Sequence, residues 1–304
     1  MSAPRVTVAM PLYNGQKFLE ETLGSILQQT FTDLEVVVQD NGSTDDTPNI
    51  LRASAERDPR VIVERNQRNL GAVANFNAVI ARARGEFLMF ASDHDLHDPD
   101  FVTKTVAVLE SEPGAVLAYT QRIDIDEQGN SLKKVREDVV TGGLEPFKRP
   151  GKVIRNGGAL GCFYGLFRTE AIRKTGGYRL AYGPDLILLC ELSLLGGFIC
   201  VEEPLLRYRV FTEGPKSSKA TWKARHLHYL STLAPGYEKR WLVAHLPTPT
   251  MVLQISRIVA ARTSLLKLPL VAIDIIRSFF VRWRNNRKAG AGTSGILPVK
   301  KGSE

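Results

Sequence analysis

Apolar residues in the first hundred positions of the chain follow two spacings in turn. Apolar-rich runs of strand length, typical of strands buried on both faces, occupy 6–11, 34–39, 61–64 and 87–91. Between these runs, apolar residues recur every three or four positions, as at 18–27 and 72–84, which predicts amphipathic helices. The repeated alternation predicts an α/β fold with a mostly parallel central sheet flanked by helices.

The pattern is more varied after residue 100. A helix is expected after Asp100 and a strand over 115–120. The polar stretch Asp124–Asn130 indicates a hairpin turn, because the glutamate and the spacing of an EF-hand calcium loop are missing. Residues 131–157 are polar, and we expect them to be irregular.

Charge divides the chain into unequal parts. The whole chain has a net charge of +8, whereas residues 215–304 carry 16 Lys+Arg against 3 Asp+Glu, a net charge of +13. This asymmetry favours an anionic partner for the C-terminal third, either a membrane surface or nucleic acid. We therefore divide the chain into an α/β domain (1–214), a basic helical extension (215–284) and a disordered tail (285–304).

The segment Leu270–Trp283 in the extension predicts an amphipathic basic helix. Asp274, Arg277, Ser278 and Arg282 form its narrow polar stripe, and Ile276 lies on the apolar side. Two interpretations stay open: a helix that covers the α/β domain, and a helix that lies on an anionic membrane surface. Nucleic acid is not expected as a partner. No apolar run approaches the roughly 18 residues of a membrane-spanning helix.

Three cysteines, Cys162, Cys190 and Cys200, have mostly apolar neighbours and form no metal-spaced array with the five histidines. Their odd number is typical of small buried side chains in a reducing compartment. The N-terminus shows no signal-peptide pattern. We therefore expect a cytoplasmic protein, either free or peripheral on the inner face of the cell membrane.

A cluster of charged side chains follows the apolar run at 87–91. Asp93, His94 and Asp95 would lie at the carboxyl end of a buried strand, where open α/β sheets bind ligands. Carboxylates are suited to Mg²⁺ or Mn²⁺, and an ion held by few protein groups keeps positions open for phosphate oxygens. The cluster favours a metal-phosphate site. The alternative is a polar turn in which Asp93 or Asp98 caps the next helix.

Four short motifs carry a resemblance to a known family. They are Met10–Asn14, Val38–Asp45, Asn69–Gly71 and Ser92–Asp100. Their order and spacing resemble the signature of family 2 glycosyltransferases with the GT-A fold, and the resemblance extends from Pro4 to about Phe211. It implies a nucleotide-sugar donor, a divalent metal ion on the donor diphosphate, and inversion at the anomeric carbon.

The resemblance assigns donor-binding roles to several residues. Pro11 and Tyr13 would border the nucleobase, and Asp40 would accept a hydrogen bond from a base such as uracil. Asn69 would lie near the ribose or diphosphate, and Arg209 would reach the diphosphate. The alternatives are a core aromatic for Tyr13, a turn or helix cap for Asp40, and a loop turn for Asn69. Ser43 or Thr44 is also suited to cap the following helix.

The metal motif departs from the commonest family form, Asp-Ser-Asp-Asp. Alignment through Pro99 places Ser92 on the first Asp, Asp93 on the Ser, His94 on the third position and Asp95 on the fourth. Asp93 would also contact the bound donor through the ion. Two ligand sets for Mn²⁺ or Mg²⁺ stay open: the two carboxylates with His94 between them, or a set in which His94 itself ligates.

The candidate general base lies further along the chain. Tyr182–Leu189 resembles the family segment whose Glu-Asp pair opens a helix; Pro184 replaces the Glu, and Asp185 falls on the Asp that serves as base. Proline suits a first helical turn, and the carboxylate is retained. The alternative is that Asp185 only provides a negative charge near the helix N-terminus.

Together these features predict a metal-dependent inverting glycosyltransferase. It would move a sugar from a nucleotide donor, with UDP favoured, to a hydroxyl of a saccharide or lipid-linked acceptor in cell-surface polysaccharide or glycolipid synthesis. The competing hypothesis is a non-catalytic, membrane-associated nucleotide- or carbohydrate-binding protein of the same fold. Pro184 and the altered metal motif are its support.

Overall fold

One mixed sheet of nine strands organises the computed structural model, which describes residues 3–135, 139–156, 160–211, 230–235, 247–262, 275–279 and 281. The strands are β1 Val6–Leu12, β2 Leu34–Asp40, β3 Val61–Arg65, β4 Phe87–Phe90, β5 Leu96–His97, β6 Ala115–Ile125, β7 Ser131–Val135, β8 Leu166–Arg168 and β9 Gly197–Arg209. The helices are α1 Leu19–Leu27, α2 Thr47–Arg57, α3 Ala72–Arg82, α4 Phe101–Ser111, α5 Arg149–Arg155, α6 Leu160–Phe163, α7 Thr169–Arg173, α8 Pro184–Leu195 and α9 Pro247–Arg262, with a 3₁₀ turn at Pro146–Lys148.

The strand order is β3-β2-β1-β4-β8-β6-β9-β5, and β7 pairs with β6 outside this path. The first four strands are mutually parallel, β8 runs antiparallel to β4 and β6, and β9 runs parallel to β6. The α/β class and the mostly parallel N-terminal half are therefore confirmed. This order brings the carboxyl ends of β1 to β4 to a single edge of the sheet.

The two faces of the sheet are both buried, which explains the uninterrupted apolar runs. In β1, Val6, Val8 and Met10 join one apolar cluster with residues of α1 and α4. Ala9 joins the other cluster, with residues of α3, α5 and α8. Because alternate side chains of a strand point to opposite faces, a strand covered on both sides is apolar at nearly every position.

The described part of the C-terminal extension packs on the α/β domain. Ile255 and Val259 of α9 lie in the same cluster as residues of α8, and Ile275 lies there as well. Ser278 is fully buried and accepts a hydrogen bond of 2.8 Å from Nη1 of Arg155. These contacts favour the covering interpretation for residues 275–279. Most of the extension and all of the predicted tail, 285–304, lie outside the described residues, so the domain division stays a prediction.

The amphipathic pattern predicted for Leu270–Trp283 was wrong at two positions. Ser278, assigned to the polar stripe, is buried, whereas Ile276, assigned to the apolar side, is 62% exposed. Ser278 can be buried because its hydroxyl accepts a hydrogen bond from the guanidinium of Arg155 in α5. Among the described residues, no helix is long and apolar enough to cross a membrane.

The expectation for residues 131–157 was wrong in part. Residues 131–135 form β7, which pairs with β6 in the predicted hairpin, and the 3₁₀ turn and α5 occupy 146–155 with Val153 and Ile154 buried, whereas 139–145 form no helix or strand. Helix α5 has only seven residues, too short for a clear helical period. His97 forms the buried end of β5.

Candidate active site

The loop after β1 is tied to the loop after β2 by backbone hydrogen bonds to polar side chains. The Asn14 N–H donates to Oγ of Ser43 at 2.9 Å, and the Thr44 N–H donates to Oδ1 of Asn14 at 2.9 Å. The Gly15 N–H donates to Oγ1 of Thr47 at 2.9 Å. The prediction that Ser43 or Thr44 caps helix α2 was wrong, because Asp46 is the residue that precedes it. Both residues bind the neighbouring loop instead.

Asp40 ends β2 with its carboxylate 1% exposed. Its Oδ1 accepts a hydrogen bond of 2.9 Å from the Ser43 N–H, and Nε of Arg65 lies 2.9 Å from Oδ2. Arg65 ends the adjacent strand β3, is half-exposed, and also donates to the Ser43 carbonyl at 2.8 Å. The carboxylate is therefore fixed at the sheet edge with a guanidinium over it.

A network centred on Asn41 connects the loop after β2 to the loop after β3. Its Nδ2 donates to Oδ1 of Asn69 at 3.0 Å, and its Oδ1 accepts from the Leu70 N–H at 3.0 Å. Asn69 also accepts from the Gly71 N–H at 2.8 Å. The alternative predicted for Asn69, a loop-turn role, is thus present in the structure, and its role near the donor stays a prediction.

Tyr13 lies at the open side of these loops. Its side chain is 45% exposed, so it is not a core aromatic. The next residue, Asn14, adopts a left-handed backbone conformation with φ 54°, which an asparagine tolerates better than most residues. Pro11 is partly buried near the end of β1. The exposed ring leaves Tyr13 able to present a face to a planar ligand.

Asp93 and His94 form a pair at the end of β4. Nδ1 of His94 lies 2.6 Å from Oδ1 of Asp93, and their side chains are 15% and 22% exposed respectively. Asp93 packs against the β1 loop, because a Cβ added at Gly15 would lie 2.8 Å from Oδ2 of Asp93. Only glycine therefore leaves room for the carboxylate at this place, where the β4 loop meets the β1 loop.

Asp95 is fully buried and directed into the protein. Its Oδ2 accepts a hydrogen bond of 2.8 Å from the Ser92 hydroxyl, and its Oδ1 accepts one of 2.8 Å from the Arg209 N–H. Burial raises the pKa of the Asp95 carboxyl, and nearby His94 opposes that rise. These contacts make Asp95 an organiser of the loop, and its role as a metal ligand stays a prediction.

Arg209 also organises the loop. The guanidinium is 1% exposed, donates from Nε to the His94 carbonyl at 2.8 Å and from Nη2 to Glu21 at 2.7 Å, and lies over the ring of Phe18. Its Nη1 donates to two backbone carbonyls of the β6–β7 turn. This arrangement gives no support to the predicted contact between Arg209 and the donor diphosphate. The contacts of Arg209 with the protein are themselves sufficient to explain an arginine at this position.

Asp185 lies in the first turn of α8, after Gly183 in a left-handed conformation with φ 70°. Its side chain is half-buried. Burial raises the pKa of Tyr164 well above its usual range, and the charges of Asp95 and Asp185 both add to that rise. The same tyrosine therefore lies within electrostatic reach of the β4 loop and of the candidate base.

Complete metal cages are absent from the described ranges: nowhere in them do three or more His, Cys, Asp or Glu side chains converge on one point. Asp93 and His94 offer two donor groups, so an ion bound there would take its other ligands from the donor and water. A carboxylate-bound imidazole is a common arrangement beside metal ions. The side chains at the β4 loop therefore fit a partly open ion site.

The loops described above lie in a part of the chain whose sequence matches a known protein family. Residues 7–175, more than half of the 304-residue chain, match the sequence profile of glycosyl transferase family 2. The chain belongs to glycosyl transferase family 2. The resemblance drawn from the four motifs is confirmed, and so is the prediction that the protein is a glycosyltransferase.

Curated relatives of this family 2 glycosyltransferase match it over part of their length. An uncharacterised glycosyltransferase of Methanocaldococcus jannaschii is 31% identical over 140 residues, covering 45% of this chain and 48% of the relative. Chondroitin synthase of Escherichia coli is 34% identical over 129 residues, covering 42% and 19%. An uncharacterised glycosyltransferase of Nostoc is 28% identical over 221 residues, covering 68% and 65%. The chain spans less than two thirds of each of these relatives.

Solved structures confirm the GT-A fold of the family 2 enzyme. Staphylococcus aureus TarS in complex with UDP-GlcNAc superposes with a TM-score of 0.58 at 16% identity, covering 94% of this chain and 92% of that one. The mannosyltransferase PcManGT from Pyrobaculum calidifontis, in complex with GDP-Man and Mn²⁺, gives 0.55 at 18% identity, covering 94% and 88%. At such identities the likeness concerns the fold.

Sequence reasoning gave no role to two residues that lie at the candidate site. Arg65 ends β3 at the same edge as Asp40, and its position at a strand end was the signal that could have found it. Asn41 lay inside the motif Val38–Asp45 but received no role of its own. Its four side-chain hydrogen bonds, to Asn66, Asn69, Leu70 and Gly71, involve residues far along the chain, which local spacing does not reveal.

Proposed function

We propose that this glycosyltransferase transfers a sugar from a UDP-linked donor to a hydroxyl acceptor with inversion, in the presence of Mn²⁺ or Mg²⁺. The observation that carries the proposal is the convergence of four loops at the carboxyl ends of β1 to β4. That edge holds an exposed aromatic, a buried carboxylate and the Asp93–His94 pair. Two structural neighbours were solved with nucleotide sugars, and one of them with Mn²⁺.

Asp40 supports the choice of uracil. Each carboxylate oxygen has two lone pairs, so an oxygen that accepts one hydrogen bond retains capacity for a second. The N3–H of uracil is a matching donor, and a base without a donor at that position would lose this hydrogen bond, which is worth roughly 1.5–3 kcal/mol when the acceptor is charged. Tyr13 would lie against the ring, Pro11 would line its edge, and Asn69 would face the ribose or diphosphate.

Asp93 and His94 would hold the metal ion. Histidine nitrogen and carboxylate oxygen together suit Mn²⁺. A bound divalent ion supplies positive charge that stabilises the departing diphosphate. The chain's own contribution is to fix these two side chains, and it does so through Gly15 on one side and through the Ser92, Asp95 and Arg209 contacts on the other.

Asp185 would act as the general base. Its carboxylate accepts the proton of the acceptor hydroxyl while that oxygen bonds to C1 of the sugar. The bond between C1 and the diphosphate oxygen breaks on the opposite face, its electron pair leaves with the diphosphate, and the configuration at C1 inverts. Helix α8 suits this role because its first turn holds the side chain at a fixed place.

The acceptor and its location are part of the same proposal. The described C-terminal segments expose a mixed apolar and basic surface: Leu253 and Arg257 on α9, and Ile276 and Arg277 further along. Residues 247–262 contain no acidic side chain. Such a surface suits peripheral contact with an anionic membrane, and a saccharide or lipid-linked acceptor of cell-surface polysaccharide or glycolipid synthesis would be found there.

A donor screen tests the proposal. The purified chain is incubated with UDP-GlcNAc, UDP-Glc, UDP-Gal and GDP-Man, each with Mn²⁺, Mg²⁺ or EDTA, and nucleotide release and thermal stabilisation are both measured. We expect metal-dependent release of UDP from one UDP-sugar. Stabilisation by all nucleotides without release would favour the non-catalytic binding protein, and preference for GDP-Man would overturn the choice of a UDP-linked donor.

A further inference from the structure

A buried carboxylate lies in the middle of α8, six residues after the candidate base. Glu191 is 1% exposed. Nη2 of Arg179 donates to its two oxygens at 3.3 and 3.2 Å, and the Gly176 N–H donates at 3.3 Å. Nη2 of Arg262, at the end of α9, donates to the same carboxylate. A loop and a C-terminal helix therefore converge on one charge of α8.

The loop between α7 and α8 is built around this carboxylate. A Cβ added at Gly176 would lie 2.0 Å from Nη2 of Arg179, so glycine is needed to make room for the guanidinium. On the other side, Asn77 of α3 accepts from the Tyr178 N–H at 2.8 Å and donates to its carbonyl at 2.9 Å. The loop is thus held from two directions before it reaches Asp185.

Arg262 connects α9 to both sides of this loop. Besides Glu191, its Nη2 donates to the carbonyl of Lys174 at 2.8 Å. Lys174 follows α7 directly, so one guanidinium holds the start of the loop and the helix that comes after it. Ile255 and Val259 place α9 against the same apolar cluster as α8. These contacts make α9 a structural support of the loop.

We propose that Arg262 is a positioning residue for the loop 174–183 and the first turn of α8, acting through Glu191. The inference rests on the proposed function, in which Asp185 in that turn accepts the acceptor proton. Misplacement of a reacting group by about 1 Å costs up to roughly 10²-fold in rate. Nucleotide binding depends on the loops after β1 to β4, so the loss of Arg262 lowers turnover and leaves nucleotide affinity unchanged.

The test compares Arg262→Gln with Arg57→Gln, which removes the same charge from an exposed position at the end of helix α2. Glu191 itself is a poor target, because its loss leaves two guanidinium groups without a buried counter-charge and destabilises the fold. Hydrogen exchange of peptides covering 174–185, affinity for UDP with Mn²⁺, and kcat for hydrolysis of the best donor of the screen are measured. Arg262→Lys, which keeps the charge, is the rescue variant.

We expect Arg262→Gln to accelerate exchange over 174–185 and to lower kcat at least tenfold, with UDP affinity within twofold of wild type. Arg262→Lys should recover part of kcat, and Arg57→Gln should behave as wild type. Unchanged exchange, or faster exchange with unchanged kcat, would overturn the proposal. If Asp185→Asn stays active while Arg262→Gln behaves as expected, the base assignment fails and the support of the loop by Arg262 stands.

Discussion

His97 makes the stability of the protein depend on pH. The side chain is 4% exposed, both ring nitrogens are buried without a hydrogen-bond partner among the described residues, and the ring lies edge-on to Phe101 at 4.9 Å between centroids. Burial lowers the pKa of His97 from 6.5 to about 4. Between these two values, the unfolded chain binds a proton that the folded chain does not bind.

The size and sign of the effect follow from proton linkage. Stability is fully present above the unfolded pKa and is lost as the pH falls from 6.5 towards the folded pKa. The loss from this one side chain amounts to about 2 kcal/mol at pH 5 and about 3 kcal/mol at pH values well below 4. A marginally stable domain, with roughly 5–15 kcal/mol in total, loses a substantial share of its stability in this way.

The perturbation that isolates this effect is His97→Phe, with His97→Leu as a second variant in case the larger ring does not fit. Urea unfolding of wild type and variants is measured from pH 8 to pH 5 at constant ionic strength. The unfolding free energy of wild type should fall by about 2 kcal/mol more than that of either variant. Any difference in unfolding free energy between wild type and variant that does not depend on pH cancels in this comparison. Equal pH dependence in wild type and both variants would refute the reasoning.

Three further predictions concern the site and the C-terminal surface. Asp185→Asn should lower transfer roughly 10²–10⁴-fold while UDP affinity stays near wild type; equal loss of both quantities would give Asp185 a structural role. Asp93→Asn should remove the Mn²⁺-dependent part of the stabilisation by UDP, which amounts to about 2.7 kcal/mol when the UDP concentration is 100 times its Kd. The control Glu112→Gln, at an exposed position, should retain it. Arg257→Gln combined with Arg277→Gln should weaken co-sedimentation with anionic vesicles and its salt dependence; unchanged co-sedimentation would exclude this surface.

The sequence was most informative where physical constraints are local. Strands β1 to β4 were located within one residue at each end, because burial on both faces leaves a short apolar run that turn residues interrupt. Helix α5 was missed, since seven residues give no clear period. The role of Asp40 came from the family resemblance and stays a prediction; the structure places the residue at the end of β2, at the sheet edge where strand ends meet.

Sequence reasoning was less successful wherever a distant partner decides the environment. Serine commonly caps helices, yet Ser43 accepts a hydrogen bond from the N–H of Asn14, 29 residues earlier. Ser278 was assigned to the polar stripe, but it is buried and accepts a hydrogen bond from Arg155, 123 residues away. Arg209 looked like a phosphate ligand, but its partners come from α1, the β4 loop and the β6–β7 turn. The roles of these residues depend on the tertiary fold, which spacing along the chain does not contain.

The hydrogen bond from Arg209 to Asp95 joins residues 114 positions apart, and this separation has a consequence for biosynthesis. At translation rates of roughly 5–20 residues per second, the ribosome makes the β4 loop several seconds before strand β9. During that interval β1 to β4 can pair, but Asp95 lacks the backbone donor that orients it. The nascent protein therefore completes the sheet edge of the candidate site in two stages, and a chain that ends before Arg209 would retain the parallel strands without the backbone donor that orients Asp95.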